Sequence, residues 1–241
     1  MIAVVYIGQR RHADITAKNH KKFLDVLAKK YSYHVYDFTH EHRTWSTQGL
    51  CGEQAQILDM HHALRQVSES VVIKIRTDTW ICPWEIDNIA SLIEQVVDNK
   101  LDFAYIGPYL CLDVLDREKT ITTNVQDPRW VQDVMVIFQK QQTNDVEWLF
   151  QHLPETKNYS DNRGWYMMAK NDSVCKIVHC DVYIVRKSRS RPCDYQIVED
   201  WYNQVLDSVQ GTWMFDEHLQ RREQWRLRYK DKAHEDTILE Q

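Results

Sequence analysis

Val71-Val72-Ile73-Lys74-Ile75-Arg76-Thr77-Asp78 decides the fold. Val71 to Ile75 is an apolar, β-branched run interrupted only by Lys74, and such a run suits a central strand of a parallel sheet, buried on both faces. Polar residues take over at Arg76, Thr77 and Asp78, so charged groups emerge at the carboxyl end of that strand. Open α/β sheets bind their ligands at those ends.

The flanks agree with this reading. Glu53 to Val67 carries Ile57, Leu58, Ala63, Leu64 and Val67 along one side of a helix, and Trp84 to Val97 reads as a helix opened by Pro83. Further upstream, Ile2 to Ile7 is a strand closed by Gly8, and Lys18 to Lys30 places Phe23, Leu24, Val26 and Leu27 at helical spacing. Tyr33 to Phe38 is a second strand, followed by Thr39 to Gly52 with loop composition. Downstream, Phe103 to Ile106, Val131 to Phe138 and Val178 to Val185 are strand candidates, while Cys111 to Arg129 shows no clear period. Helices are expected at Asp145 to Leu153 and Asp161 to Lys170, with a charged helical tail from Glu199. Alternating strands and helices predict an α/β fold with a mixed, mainly parallel central sheet flanked by helices.

Composition narrows the function. A chain of 241 residues, 43% apolar and 27% charged, can bury the core of one domain. No run reaches the length of a membrane-spanning helix and the amino terminus lacks a signal-peptide pattern, so a soluble, cytoplasmic protein without membrane insertion is expected. The six cysteines are scattered, as suits reduced thiols. A net charge of −5 argues against nucleic acid as a partner. None of the six glycines builds a dinucleotide or P-loop motif, so any phosphate must be met by side chains, a metal or a helix amino terminus.

Asp78 is the candidate metal ligand, because Mg²⁺ or Mn²⁺ needs only one or two protein carboxylates when phosphate and water complete its shell. The alternative role for Asp78 is to start a turn after the strand. Asp133 is the first candidate for a catalytic base, since it interrupts an apolar strand where an acid needs a compensating partner or a site mouth. Asp161 is the second, beside Trp165 and Tyr166, and it also reads as a helix N-cap. Arg186, Lys187, Arg189 and Arg191 form a basic run that suits either phosphate contact or a solvated loop. Trp80, Trp84, Trp130 and Trp165 offer flat apolar faces for a sugar, although most tryptophans belong to cores. The pairs His40 and His42, and His61 and His62, lack the spacing of a structural zinc site, and Cys175, His179 and Cys180 read as packing residues.

The segment Val71 to Asp78 resembles the Arg-x-Asp form of the DxD motif in glycosyltransferases of the GT-A type, with Arg76 at the first acidic position, so that coordination rests on Asp78. It is especially similar to WavE-type lipopolysaccharide enzymes and to the glycosyltransferases of chlorella viruses. Ile7-Gly8-Gln9-Arg10 is similar to that family's first nucleotide-contacting loop, Gln54 to Leu64 to the helix before its metal strand, and Trp130 to Phe138 to its later strand with an acceptor-side aspartate. The resemblance covers roughly residues 1 to 185. It implies a nucleotide-diphospho-sugar transferase domain over 1–241, with a nucleotide-binding half 1–110, an acceptor-side half 111–200 and a helical tail 201–241. It further implies a UDP-sugar donor such as UDP-glucose or UDP-rhamnose, a glycan acceptor, and capsid glycan synthesis in the host cell cytoplasm. Base and ribose would lie over the first two strand ends, at Gly8, Gln9, Arg10, Phe38 and Thr39, with Arg76 and Asp78 toward the diphosphate.

Other readings compete. A metal-dependent phosphohydrolase or nucleotidyltransferase would also place a carboxylate at a strand end, but two-metal chemistry needs several acids close together. A non-catalytic sugar-nucleotide or carbohydrate-binding module would keep the fold without turnover. The charged tail also suits one domain of a larger protein.

Overall fold

The computed structural model describes residues 1–8, 13–42, 44–46, 52–108, 118–124, 126, 131, 134–152, 163–180 and 182–184, with scattered positions between 203 and 227. The chain divides into two compact units, Met1–Arg186 and Lys187–Gln241. In the second unit the described positions between 203 and 207 and between 215 and 227 are helical, and Arg226 pairs with Glu223 one turn away.

The first unit runs β1 (Ile2–Gly8), α1 (Ala13–Ala28), β2 (Tyr33–Thr39), α2 (Gly52–Gln66), β3 (Val71–Arg76), β4 (Thr79–Ile81), α3 (Ile86–Val97), β5 (Phe103–Pro108), β6 (Glu118–Thr122), β7 (Met135–Gln139), α4 (Val146–His152), α5 (Arg163–Met167), β8 (Val174–Cys180) and β9 (Val182–Ile184). Seven strands form one sheet in the order β2-β1-β3-β7-β5-β8-β6, and β4 pairs with β9 separately. β1, β2, β3, β5 and β8 run one way, while β7 and β6 oppose them. The fold is therefore α/β with a mixed, mainly parallel sheet.

Burial follows the sequence pattern. Val71 to Ile75 are all buried, Lys74 included. α1 and α3 cover one face, where Phe23 and Leu27 join Ile89, Ile93 and Val96 against Ile73 and Ile75. α2, α4 and α5 cover the other, where Ile57, Met60, Leu149 and Trp165 pack on Val72 and Val136. Amphipathic spacing explains α3, whose buried positions Ile86, Ile89, Leu92, Ile93 and Val96 recur every three or four residues.

Several boundaries differ from expectation. α1 begins at Ala13, before the apolar residues at Phe23 and beyond that suggest a start at Lys18. Pro83–Glu85 forms a 3₁₀ turn ahead of α3 instead of its first turn. β6 lies within the stretch without a clear period, and its charged, mostly exposed residues fit an edge strand. The strand expected over Val178 to Val185 is two strands: β8 in the main sheet begins earlier, at Val174, and β9 turns aside to join β4. β7 is shorter than expected, starting at Met135, and is antiparallel to both neighbours.

Candidate functional site

The parallel strands share a carboxyl edge. Gly8 stands opposite Thr39, Ile7 opposite Arg76, and Pro108 opposite Cys180. Arg76 donates its backbone N–H to the Val134 carbonyl at 3.3 Å, so the start of β7 lies at this edge too. Gly8 has φ +94°, a conformation open to glycine at little cost, and its carbonyl accepts from the His40 N–H at 2.9 Å. A methyl group there would meet nothing within 4 Å, so the requirement is conformational.

At the end of β3 the charged residues meet each other. Arg76 Nε donates to Asp78 Oδ1 and Arg76 Nη2 to Asp78 Oδ2, both at 3.0 Å. Both carboxylate oxygens are thus engaged by one guanidinium, the fork geometry in which arginine binds carboxylate or phosphate most strongly. The Arg76 side chain is 25% exposed and that of Asp78 9%.

Asp78 stands on a segment held from the side by α1. Thr16 Oγ1 donates to the Thr77 carbonyl at 2.6 Å, His20 Nε2 to the Thr79 carbonyl at 2.6 Å, and Asn19 Nδ2 to the Ile81 carbonyl at 2.6 Å. The Ile81 N–H returns to Asn19 Oδ1 at 2.8 Å. Alternate residues 77, 79 and 81 therefore turn their carbonyls to one edge, and three buried side chains at helical spacing meet them. On the opposite edge β4 pairs with β9, Thr79 opposite Ile184 and Ile81 opposite Val182. Because a carbonyl only accepts, His20 carries its proton on Nε2. Burial lowers the His20 pKa below its ordinary value, against the opposing pull of the Thr79 carbonyl and Asp78. The ring lies on Tyr6, centroids 5.4 Å apart.

The remaining expected residues divide. Thr39 is buried, and its N–H and Oγ1 both donate to Asp37 Oδ1, at 3.1 and 2.6 Å. Phe38 is stacked on Tyr36 and tilted against Trp45, which in turn stacks on His62 and donates to Asp59. Gln9, Arg10, Asp133, Asp161, Trp130 and the basic run 186–191 lie outside the described residues. Trp165 corrects the expectation of a sugar-facing indole: it is wholly buried, with Lys74 Nζ 4.4 Å from its ring centroid. Trp80 and Trp84 are partly exposed close to Asp78 in the chain. Cys175 and Cys180 belong to opposite faces of the sheet, which rules them out as joint ligands.

Among the described residues no group of three histidines, cysteines or acids is placed to hold a metal. A single carboxylate such as Asp78 is compatible with a hard cation only where phosphate, water or other groups complete the shell. The sequence reading passed over Thr16, Asn19 and His20. Their signal was available, because 16, 19 and 20 continue the buried stripe of Phe23 and Leu27 with polar residues, and polar groups in a buried stripe need specific partners.

No protein-family model matches the chain, and no curated protein matches it. Among solved structures it is similar to a glycosyltransferase involved in the glycosylation of the major capsid of PBCV-1, at 11% identity over 65% of this chain and 69% of that one, TM-score 0.43. TarS 1-349 of S. aureus in complex with UDP-GlcNAc is similar at 11% identity over 90% and 69%, TM-score 0.43. So is 4-diphosphocytidyl-2C-methyl-D-erythritolsynthase from Anaerococcus prevotii, at 13% identity over 85% and 98%, TM-score 0.43. At such identity and TM-score these likenesses carry no argument about what this chain does.

Proposed function

We propose that this chain is a glycosyltransferase of the GT-A type, a hexosyltransferase that moves a sugar from a UDP-sugar to a glycan acceptor. The observation that carries the reading is the Arg76–Asp78 pair at the carboxyl end of β3, on a segment fixed by α1. In the transfer, the bond from the anomeric carbon to the diphosphate breaks and a bond to the acceptor oxygen forms. Negative charge grows on the departing diphosphate, and a guanidinium at Arg76 is suited to receive it with charge-assisted hydrogen bonds. Asp78 would hold Mn²⁺ or Mg²⁺, and the bound cation would supply Lewis-acid stabilisation of the same leaving group. In an inverting course Asp133 takes the acceptor proton, with Asp161 as the second candidate, whereas a retaining course needs no such base. Gly8, Gln9, Arg10, Phe38 and Thr39 are the proposed contacts to the nucleoside. The resemblance to chlorella-virus enzymes extends the proposal to capsid glycans made in the host cell cytoplasm.

Isothermal titration of UDP, ADP and GDP, each with and without Mn²⁺, tests this on the wild type and Asp78→Ala. UDP binding that is strengthened by Mn²⁺ and loses that gain in the variant is expected. Absence of UDP binding, or binding indifferent to both metal and Asp78, overturns the assignment. A second reading, a sugar-nucleotide-binding module without turnover, draws support from the engagement of both Asp78 oxygens by Arg76. Consumption of UDP-sugars, followed as UDP release, separates the two.

A further inference from the structure

We propose that Arg76 is an exchangeable latch on Asp78, so that a divalent cation and a diphosphate occupy this site only together. The diphosphate half rests on the nucleotide-sugar reading; the cation half stands on the geometry of the pair.

Both Asp78 oxygens are engaged by Arg76, so a cation must displace the guanidinium or share the carboxylate with it. A cation arriving alone also meets the guanidinium charge. Asp78 has little freedom to swing elsewhere, since the carbonyls of residues 77, 79 and 81 are held by Thr16, His20 and Asn19, and β9 pairs with β4 on the other side. The movable partner is Arg76. Its backbone is fixed by the bond to Val134, but its head sits on a long stem and is more exposed than the carboxylate it holds.

Phosphate offers a guanidinium the same pair of oxygen acceptors as a carboxylate, so Arg76 can pass from Asp78 to a diphosphate without losing its charge-assisted bonds. The exchange uncovers Asp78 beside a newly arrived anion. Two anions at contact distance repel unless a cation lies between them. Each ligand alone therefore meets a group of its own sign, and each removes the obstacle to the other. By linkage, the factor by which the diphosphate strengthens cation binding equals the factor by which the cation strengthens diphosphate binding.

The cation arm of the test uses Mn²⁺ alone, following the free-ion EPR signal with folded wild type, Arg76→Gln, Arg76→Lys and the double variant Arg76→Gln/Asp78→Asn. Opening the latch in Arg76→Gln is expected to raise Mn²⁺ affinity by about tenfold or more, within the usual range of coupling between sites. The double variant should lose that gain. Arg76→Lys keeps the charge but not the fork and should fall between, which preserves the test if Arg76→Gln does not fold. The diphosphate arm titrates UDP and inorganic pyrophosphate with and without Mn²⁺, expecting mutual strengthening in the wild type that is reduced in Arg76→Gln, where Asp78 is already uncovered. Equal Mn²⁺ binding by wild type, Arg76→Gln and Arg76→Lys overturns the latch, as does coupling that is undiminished in Arg76→Gln. If Arg76→Gln gains an Asp78-dependent Mn²⁺ site and pyrophosphate and Mn²⁺ strengthen each other in the wild type while UDP does not bind, the latch stands and the nucleotide-sugar reading fails.

Discussion

Under α1 and α3 the main sheet buries Ile2, Val4, Ile73, Ile75, Ile106 and Ile137, whereas under α2, α4 and α5 it buries Phe103, Tyr105, Phe138, Trp165 and the ammonium of Lys74. The first face is joined mainly by aliphatic contacts without direction, with the Tyr6–His20 stack as an exception. The second is joined by oriented ones. Phe103 stacks on Phe138 at 5.1 Å and on Tyr105 at 5.6 Å, and the Tyr105 hydroxyl donates to the Trp165 carbonyl at 3.0 Å. Burial raises the Tyr105 pKa well above its ordinary value, so the hydroxyl remains a donor. Lys74 lies against the Trp165 ring and donates to Gln56 Oε1 at 3.3 Å. One face supplies adhesion; the other also fixes orientation, because ring stacks and a buried cation tolerate few arrangements.

The largest expected effect lies on the oriented face. Trp165→Ala should cost about 3–5 kcal/mol, against about 0.5–1.5 kcal/mol for Ile93→Val on the aliphatic one, both read by urea denaturation. Loss of near-ultraviolet circular dichroism structure should accompany only the first. Comparable costs, or a near-ultraviolet spectrum untouched by Trp165→Ala, would erase the distinction between the faces. Next comes Asn19→Ala, which probes the polar exception on the aliphatic side. It leaves the buried Ile81 N–H and carbonyl without their partner and should cost about 1–3 kcal/mol. Asn19→Asp keeps the acceptor but turns a buried carboxylate oxygen toward the Ile81 carbonyl, so at neutral pH it should cost at least as much as Asn19→Ala.

The smallest effect sharpens the comparison at the margin of the aromatic face. Burial by itself would raise the Glu69 carboxyl, but hydrogen bonds from His34 and Tyr36 outweigh it and hold its pKa below the ordinary value. A depressed carboxylate contributes stability that is present above its unfolded-state pKa and lost as pH falls through the folded one. The difference in urea midpoint between wild type and Glu69→Gln should therefore shrink as pH drops from about 5 toward 3. A difference that stays constant across that window would remove the carboxylate's ionisation from the account.

The strands that could be read from sequence were β1, β3 and β5, whose burial is two-sided, and the edge strand β2, whose aromatic and β-branched residues mark it despite His34 and Asp37. β6 escaped because an edge strand such as Glu118–Thr122 can be charged and mostly exposed. The break between β8 and β9 escaped because residues on either side of 181 keep a strand-like pattern while the chain changes sheets. In the site, the position of Asp78 was legible from the turnover of polarity after Ile75. Its partner was not, since composition cannot say whether Arg76 reaches toward a ligand or folds back two residues along the chain. Nor could it show that Trp165, beside a candidate acid in sequence, belongs to the core.

The side-chain bonds from α1 to the 77–81 segment also bear on how the protein behaves at high concentration. Ile81 faces Val182 as a pair whose own N–H and C=O point outward, and Thr79 repeats the pattern two residues earlier. Bare groups of that kind invite a foreign strand to add to the edge, the first step of many aggregates. Here Asn19 and His20 occupy them, so a helix seals an edge that other proteins protect with charge or a bulge. Loss of Asn19 would thus open a docking template as well as weaken the fold, and a variant that tolerates the stability loss in dilute solution should still be the one that precipitates when concentrated.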